Sequence, residues 1–80
     1  MPTLIQLNFY TTSNCHLCEQ ATELLNSIES IAINFIEIAD HDELINLYGT
    51  RIPVLQQANN HSVELDWPFN LQQIRTFING

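Results

Sequence analysis

Cys15 and Cys18 are the only cysteines in this 80-residue chain, and His16 and Leu17 separate them. On a helix, residues at this spacing lie one turn apart, so the two sulfurs can close a disulfide and open it again. The run before them, Leu4 to Tyr10, reads as a strand. The run after them reads as a helix. A sulfur at such a junction stands at a helix N-terminus, where unpaired backbone N–H groups and the helix dipole favour the reactive thiolate. The chemistry these residues suit is reversible thiol–disulfide exchange.

Composition bounds the setting. Eighty residues predict one domain over 1–80, and an apolar fraction of 45% is that of a folded globular chain. No apolar stretch approaches the ~20 residues of a membrane-spanning helix. Met1-Pro2-Thr3-Leu4 lacks a basic region followed by an apolar core, so a cytoplasmic location is expected rather than secretion. In a reducing compartment a cysteine pair is more often redox-active or metal-binding than structural. Nine carboxylates face only Arg51 and Arg75, for a net charge of -7. That balance argues against nucleic acid and anionic membranes as partners, since both need a basic footprint. It serves solubility, or a preference for neutral or basic protein partners.

The elements that must position the cysteines alternate along the chain. In the first strand Ile5, Leu7 and Phe9 share one face, and Leu4 and Tyr10 the other; burial on both sides is expected. Thr11-Thr12-Ser13-Asn14 is a polar loop rich in helix N-caps. Leu17, Ala21, Leu24, Leu25 and Ile28 then recur at helical spacing. Ile33 to Ile38 is a second strand. Asp40-His41-Asp42-Glu43 has the form of a capping box before a short helix through Tyr48, with Gly49 as its C-cap. Val54 to Gln57 and Ser62 to Leu65 form a hairpin about Ala58-Asn59-Asn60-His61, whose asparagines tolerate left-handed backbone. Pro68 and Asn70 announce a last helix, with Leu71, Ile74, Phe77 and Ile78 on one face. The order βαβ-αββα predicts an α/β fold: a four-stranded mixed sheet, its first two strands parallel, with three helices on its two faces.

The chain resembles the thioredoxin superfamily in its minimal, glutaredoxin-like form, and is similar to the short bacterial glutaredoxin-like proteins. The residues that carry the resemblance are Leu7-Asn8-Phe9-Tyr10, Cys15-His16-Leu17-Cys18, Arg51-Ile52-Pro53-Val54-Leu55 and Trp67-Pro68-Phe69. It implies a thiol–disulfide oxidoreductase acting on disulfide-containing proteins or small thiols, with Cys15 as the nucleophile and the more buried Cys18 as the resolving thiol. It implies a cis peptide between Ile52 and Pro53, with His16, Leu17, Arg51, Ile52 and Pro53 lining the substrate site. The N–H and C=O of Ile52 would then pair with a substrate strand. Without the resemblance, Pro53 reads as an ordinary trans proline opening an edge strand. No resident cofactor is required, and a monomer is expected.

The chain departs from common glutaredoxins in ways that bear on glutathione as a co-substrate. His16 and Leu17 stand where those proteins carry Pro and Tyr. The lysine before the motif is missing, and Leu65-Asp66-Trp67-Pro68-Phe69-Asn70 replaces a glycine pair followed by aspartate. Arg51 and the last helix's N-terminus near Asn70 and Leu71 are the substitutes for those carboxylate contacts. Asp66 is either a contact to a substrate amine or a loop border. A protonated His16 would favour the Cys15 thiolate; a neutral one turned to solvent would do little. His41 and His61 read as surface residues, and Trp67 as packing over the last helix. Two other classes remain: a redox-inactive adaptor of the same fold, and a metal or iron–sulfur module, for which the chain offers two thiolates of the four ligands usually needed.

Overall fold

The computed structural model describes residues 4–79, so Met1-Pro2-Thr3 of the segment inspected for a leader lies outside the described residues. The element order is β1 (Ile5–Thr11), α1 (His16–Asn26), β2 (Ile31–Glu37), α2 (Asp42–Tyr48), β3 (Val54–Gln57), β4 (Asn60–Asp66) and α3 (Leu71–Asn79). The strands form one sheet in the order β2-β1-β3-β4. β1 and β2 are parallel, and the β1–β3 and β3–β4 pairs are antiparallel. This is the mixed sheet and helix count that the sequence predicts.

Two apolar clusters lie on the two faces of the sheet. Leu7, Phe9 and Leu55 meet Cys18, Ala21 and Leu25 of α1 and Ile74 of α3. On the other face Tyr10 and Val54 meet Tyr48 of α2 and Ile38. Phe9 and Leu55 are register partners in the two central strands, and both are fully buried. Each contributes about 1.5–3 kcal/mol of burial free energy.

Several local expectations are corrected. Leu4 is exposed and precedes β1; on the same face Tyr10 is buried as expected, but Asn8 is only partly buried and Gln6 is exposed. α2 has only seven residues and covers only part of its face. Beyond it, that face is polar. Asn34, Asn8, Gln56 and Glu64 are successive register partners across all four strands. Their side chains hydrogen-bond in a row: Asn34 Nδ2 to Asn8 Oδ1 (3.3 Å), Asn8 Nδ2 to Gln56 Oε1 (2.9 Å) and Gln56 Nε2 to Glu64 Oε2 (3.1 Å). The buried Gln56 also accepts from the Tyr10 hydroxyl at 2.9 Å. The row satisfies the polar atoms that burial would otherwise penalise.

The caps also differ from expectation. α2 is capped by His41 with no side-chain bond, so the capping box on Asp40 does not form. Gly49 is the C-cap of α2, as expected, in right-handed conformation (φ -54, ψ -34). It is needed there for space: a Cβ would stand 2.5 Å from the Ile45 carbonyl oxygen. α3 carries a reciprocal box. Asn70 Oδ1 accepts from the Gln73 N–H at 2.8 Å, and Gln73 Oε1 accepts from the Asn70 N–H at 2.9 Å. In the hairpin neither Asn59 nor Asn60 is left-handed. The strand register instead shifts between Gln56 and Gln57.

Candidate functional site

Among the described residues one non-glycine residue takes positive φ, Asn14 at 59°. Asparagine tolerates this conformation better than most side chains. It ends the loop from β1 and delivers Cys15 to the start of α1. The polar loop does not supply the N-cap. Cys15 is itself the N-cap residue, and its Sγ accepts the Cys18 N–H at 3.2 Å. The Cys15 carbonyl accepts the Glu19 N–H at 3.1 Å, the first helical bond. Cys15 and Cys18 are joined as a disulfide, with Cα atoms 5.2 Å apart. Cys15 is half-buried at the rim of the α1–α3 core, while Cys18 is 3% exposed within it.

The loop before Cys15 is tied down by Glu37, at the end of β2. Its carboxylate accepts the Ser13 N–H at 3.0 Å and the Ala39 N–H at 3.1 Å. The Thr12 hydroxyl first, then these amides, hold the carboxyl below the usual carboxylate range. His16 points to solvent, its side chain 90% exposed, with Nδ1 3.8 Å from Glu19 Oε2. Leu17 is also exposed.

The other predicted site residues reach the same end of the sheet. Val54 pairs with Tyr10 at the end of β1 on one side and with Asp66 at the end of β4 on the other. Pro53 thus enters the sheet beside the strand end from which the Cys15 loop departs. The Ile52–Pro53 bond is cis, and so is Trp67–Pro68, which the sequence reading did not anticipate. Pro53 is buried, and its carbonyl accepts the Trp67 N–H at 3.1 Å. Ile52 packs against both apolar clusters. Its N–H is donated to the Tyr48 carbonyl at 3.0 Å, so it is not free for a substrate strand as expected. The Ile52 carbonyl has no hydrogen-bond partner among the described residues.

Arg51 is engaged with its own chain. Its Nε and Nη2 form a fork onto Asp66 (2.9 and 2.7 Å), and Nη2 also reaches Glu64 Oε1 at 2.8 Å. The guanidinium lies over the Tyr48 ring, 5.1 Å from its centroid. Asp66 therefore borders the loop as the partner of Arg51. The Arg51 hydrogen bonds hold the Asp66 carboxyl below its ordinary value. Burial pushes Glu64 up, but the bonds from Arg51 and Tyr48 outweigh it and the net shift is down. Burial, then the 2.6 Å bond to Glu64, raises the Tyr48 phenol. Trp67 packs edge-on against Phe69 (5.0 Å between centroids) and lines a groove with Leu24 of α1 and Leu71 of α3.

Sequence reasoning did not find Glu37, Glu64 or the Tyr48 hydroxyl. Glu64 and Asp66 carried a usable signal, because residues two apart on a strand share a face. Glu37 carried none, since its role depends on where β2 ends. Among the described residues no three His, Cys, Asp or Glu side chains are grouped to hold a metal ion. None of the described helices is long and apolar enough to cross a membrane.

Comparison with known proteins accords with this geometry. Residues 6–79 match the family model of the Glutaredoxin-like domain (DUF836). The X-ray structure of protein XcR50 from X. campestris superposes with a TM-score of 0.82 at 37% identity, covering 91% of this chain and 95% of that one. The solution structure of XcR50 gives 0.79, also at 37% identity, covering 91% of each chain. Protein Ne2328 from Nitrosomonas europaea, at 24% identity and a TM-score of 0.72, shares the fold over 96% of this chain and 94% of its own. No curated protein matches. With a thioredoxin-like sheet, a Cys15–Cys18 disulfide at a helix start and a family match over nearly its whole length, the chain belongs to the glutaredoxin-like (DUF836) family.

Proposed function

We propose that this protein is a dithiol thiol–disulfide oxidoreductase whose substrates are protein disulfides or neutral small disulfides. The observation that carries the reading is the placement of the two sulfurs. Cys15 Sγ is the N-cap acceptor of α1, and Cys18 is buried one turn behind it. In the reduced protein the same N–H and the dipole of an eleven-residue helix stabilise a Cys15 thiolate.

The reaction balances in two steps. The Cys15 thiolate attacks one sulfur of the target disulfide. The target S–S bond breaks, and its other sulfur leaves as a thiolate and takes up a proton. Cys18 then loses its proton and attacks Cys15 Sγ, which releases the second target sulfur. The target gains two electrons and the Cys15–Cys18 pair loses two. The open Ile52 carbonyl accepts an N–H from an extended substrate segment beside Pro53, while His16 and Leu17 border the nucleophile.

Glutathione is a poor fit as co-substrate. Its carboxylates need cations, the net charge is -7, and Arg51 is already bonded to Glu64 and Asp66. The test is turnover of a protein disulfide by the reduced protein. Cys15→Ser should abolish it, and Cys18→Ser should accumulate a mixed disulfide with the target, visible by mass. Turnover that survives Cys15→Ser contradicts the assignment.

A further inference from the structure

Arg51 is one of two cations in the chain. The other, Arg75, is exposed on α3. Arg51 directly precedes Ile52–Pro53 and shares the sheet end from which the Cys15 loop departs. The clamp lies on the α2 side of that end and the disulfide on the α1 side. Ile52, packed against both clusters, lies between them. Arg51 and Cys15 thus share one end of the sheet, on its opposite faces.

Two carboxylates occupy that cation. Asp66 takes the guanidinium fork in the two-point geometry by which arginine binds a free carboxylate. Glu64 takes a further Nη2 bond, and the Tyr48 hydroxyl and Gln56 Nε2 fix Glu64 in turn. One positive and two negative charges leave the cluster at -1. It is not sealed: the Arg51 side chain is 35% exposed and that of Asp66 46%. Solvent reaches the guanidinium, and the two carboxylates take its Nε and Nη2 donors. A pair needed only to pin the loop would require one acid. The second overcompensates the charge.

We propose that Glu64 and Asp66 are specificity-determining residues that exclude carboxylate-bearing thiols from the site by occupying Arg51. This deepens the oxidoreductase reading and rests on it. The site then takes disulfides flanked by neutral or basic residues, and it rejects anionic peptide thiols both by pairing Arg51 and by the surplus negative charge.

The test uses S-methylglutathione, an anionic peptide that cannot exchange, titrated into the oxidised full-length protein and followed by amide chemical shifts. The native protein should show no saturable shift. Glu64→Gln with Asp66→Asn should bind at least about tenfold more tightly, the effect of one charge-assisted hydrogen bond. The shifts should centre on Arg51–Pro53, weaken with salt, and vanish when Arg51→Ala is added. Asp66→Asn alone leaves the Glu64–Tyr48 bond in place. It should show a smaller gain, and it decides the matter if the double variant fails to fold. The inference is overturned if the variants bind no better than native, or if native binding exists and is lost with Arg51→Ala alone. Failure of the oxidoreductase reading appears separately, as no exchange between the native reduced protein and a neutral disulfide.

Discussion

The Cys15 sulfur has two duties, and they can be separated. It is the N-cap of α1 through its bond from the Cys18 N–H, and it is the proposed nucleophile. Serine is a strong N-cap but not a thiolate. Under reducing conditions Cys15→Ser should therefore keep the stability of the reduced native protein while losing exchange. Cys15→Ala should lose exchange and also about 1 kcal/mol of stability. Urea denaturation of the three proteins in reductant checks this; equal stability of the Ala and Ser variants would mean that the cap bond contributes nothing. His16 and Leu17 lie exposed beside this sulfur, available to a partner but not to the core.

At the scale of elements, periodicity carried most of the information. Ala21, Leu24, Leu25 and Ile28 announced α1, and Leu71, Ile74 and Phe77 announced α3, because burial of one face repeats along the sequence; Leu17, expected on that face, is exposed instead. Ends were less legible. A cysteine is not an expected N-cap, so Thr11 to Asn14 drew the assignment. Asp40 and Glu43 matched a capping-box spacing that the chain does not use. The row Asn34–Asn8–Gln56–Glu64 was invisible because it depends on cross-strand register, which local pattern does not encode. Arg51 precedes Pro53 by two residues, but its partners lie on β4 and cannot be read from its neighbours. Gly49 was legible as the end of α2. Its backbone is helical, where Gly→Ala ordinarily stabilises by about 0.4–1 kcal/mol. Here the added Cβ meets the Ile45 oxygen at 2.5 Å, so Gly49→Ala should instead destabilise by about 1–3 kcal/mol. Denaturant unfolding gives the sign directly, and a stabilised variant would contradict the close approach.

For the whole molecule, charge is the dominant property. Glu37, Glu64 and Asp66 are all held below the usual carboxylate range. A lowered folded-state value adds stability that is complete above the unfolded value, about 4, and is lost as pH falls through the folded value. The melting temperature should therefore be flat near neutrality and fall below about pH 4. Arg51→Met removes the cause for Asp66 and the largest lowering cause for Glu64, and should make that fall shallower; an unchanged acid limb would mean that the Arg51 cluster does not couple to folding. Differential alkylation tests the roles of Cys15 and Cys18 most directly. Reduced protein is pulsed with iodoacetamide at neutral pH and the label is mapped by mass. Cys15 should be labelled first, with Cys18 protected until the helix opens, and prior oxidation should remove both sites together. Labelling of Cys18 ahead of Cys15 would contradict these roles.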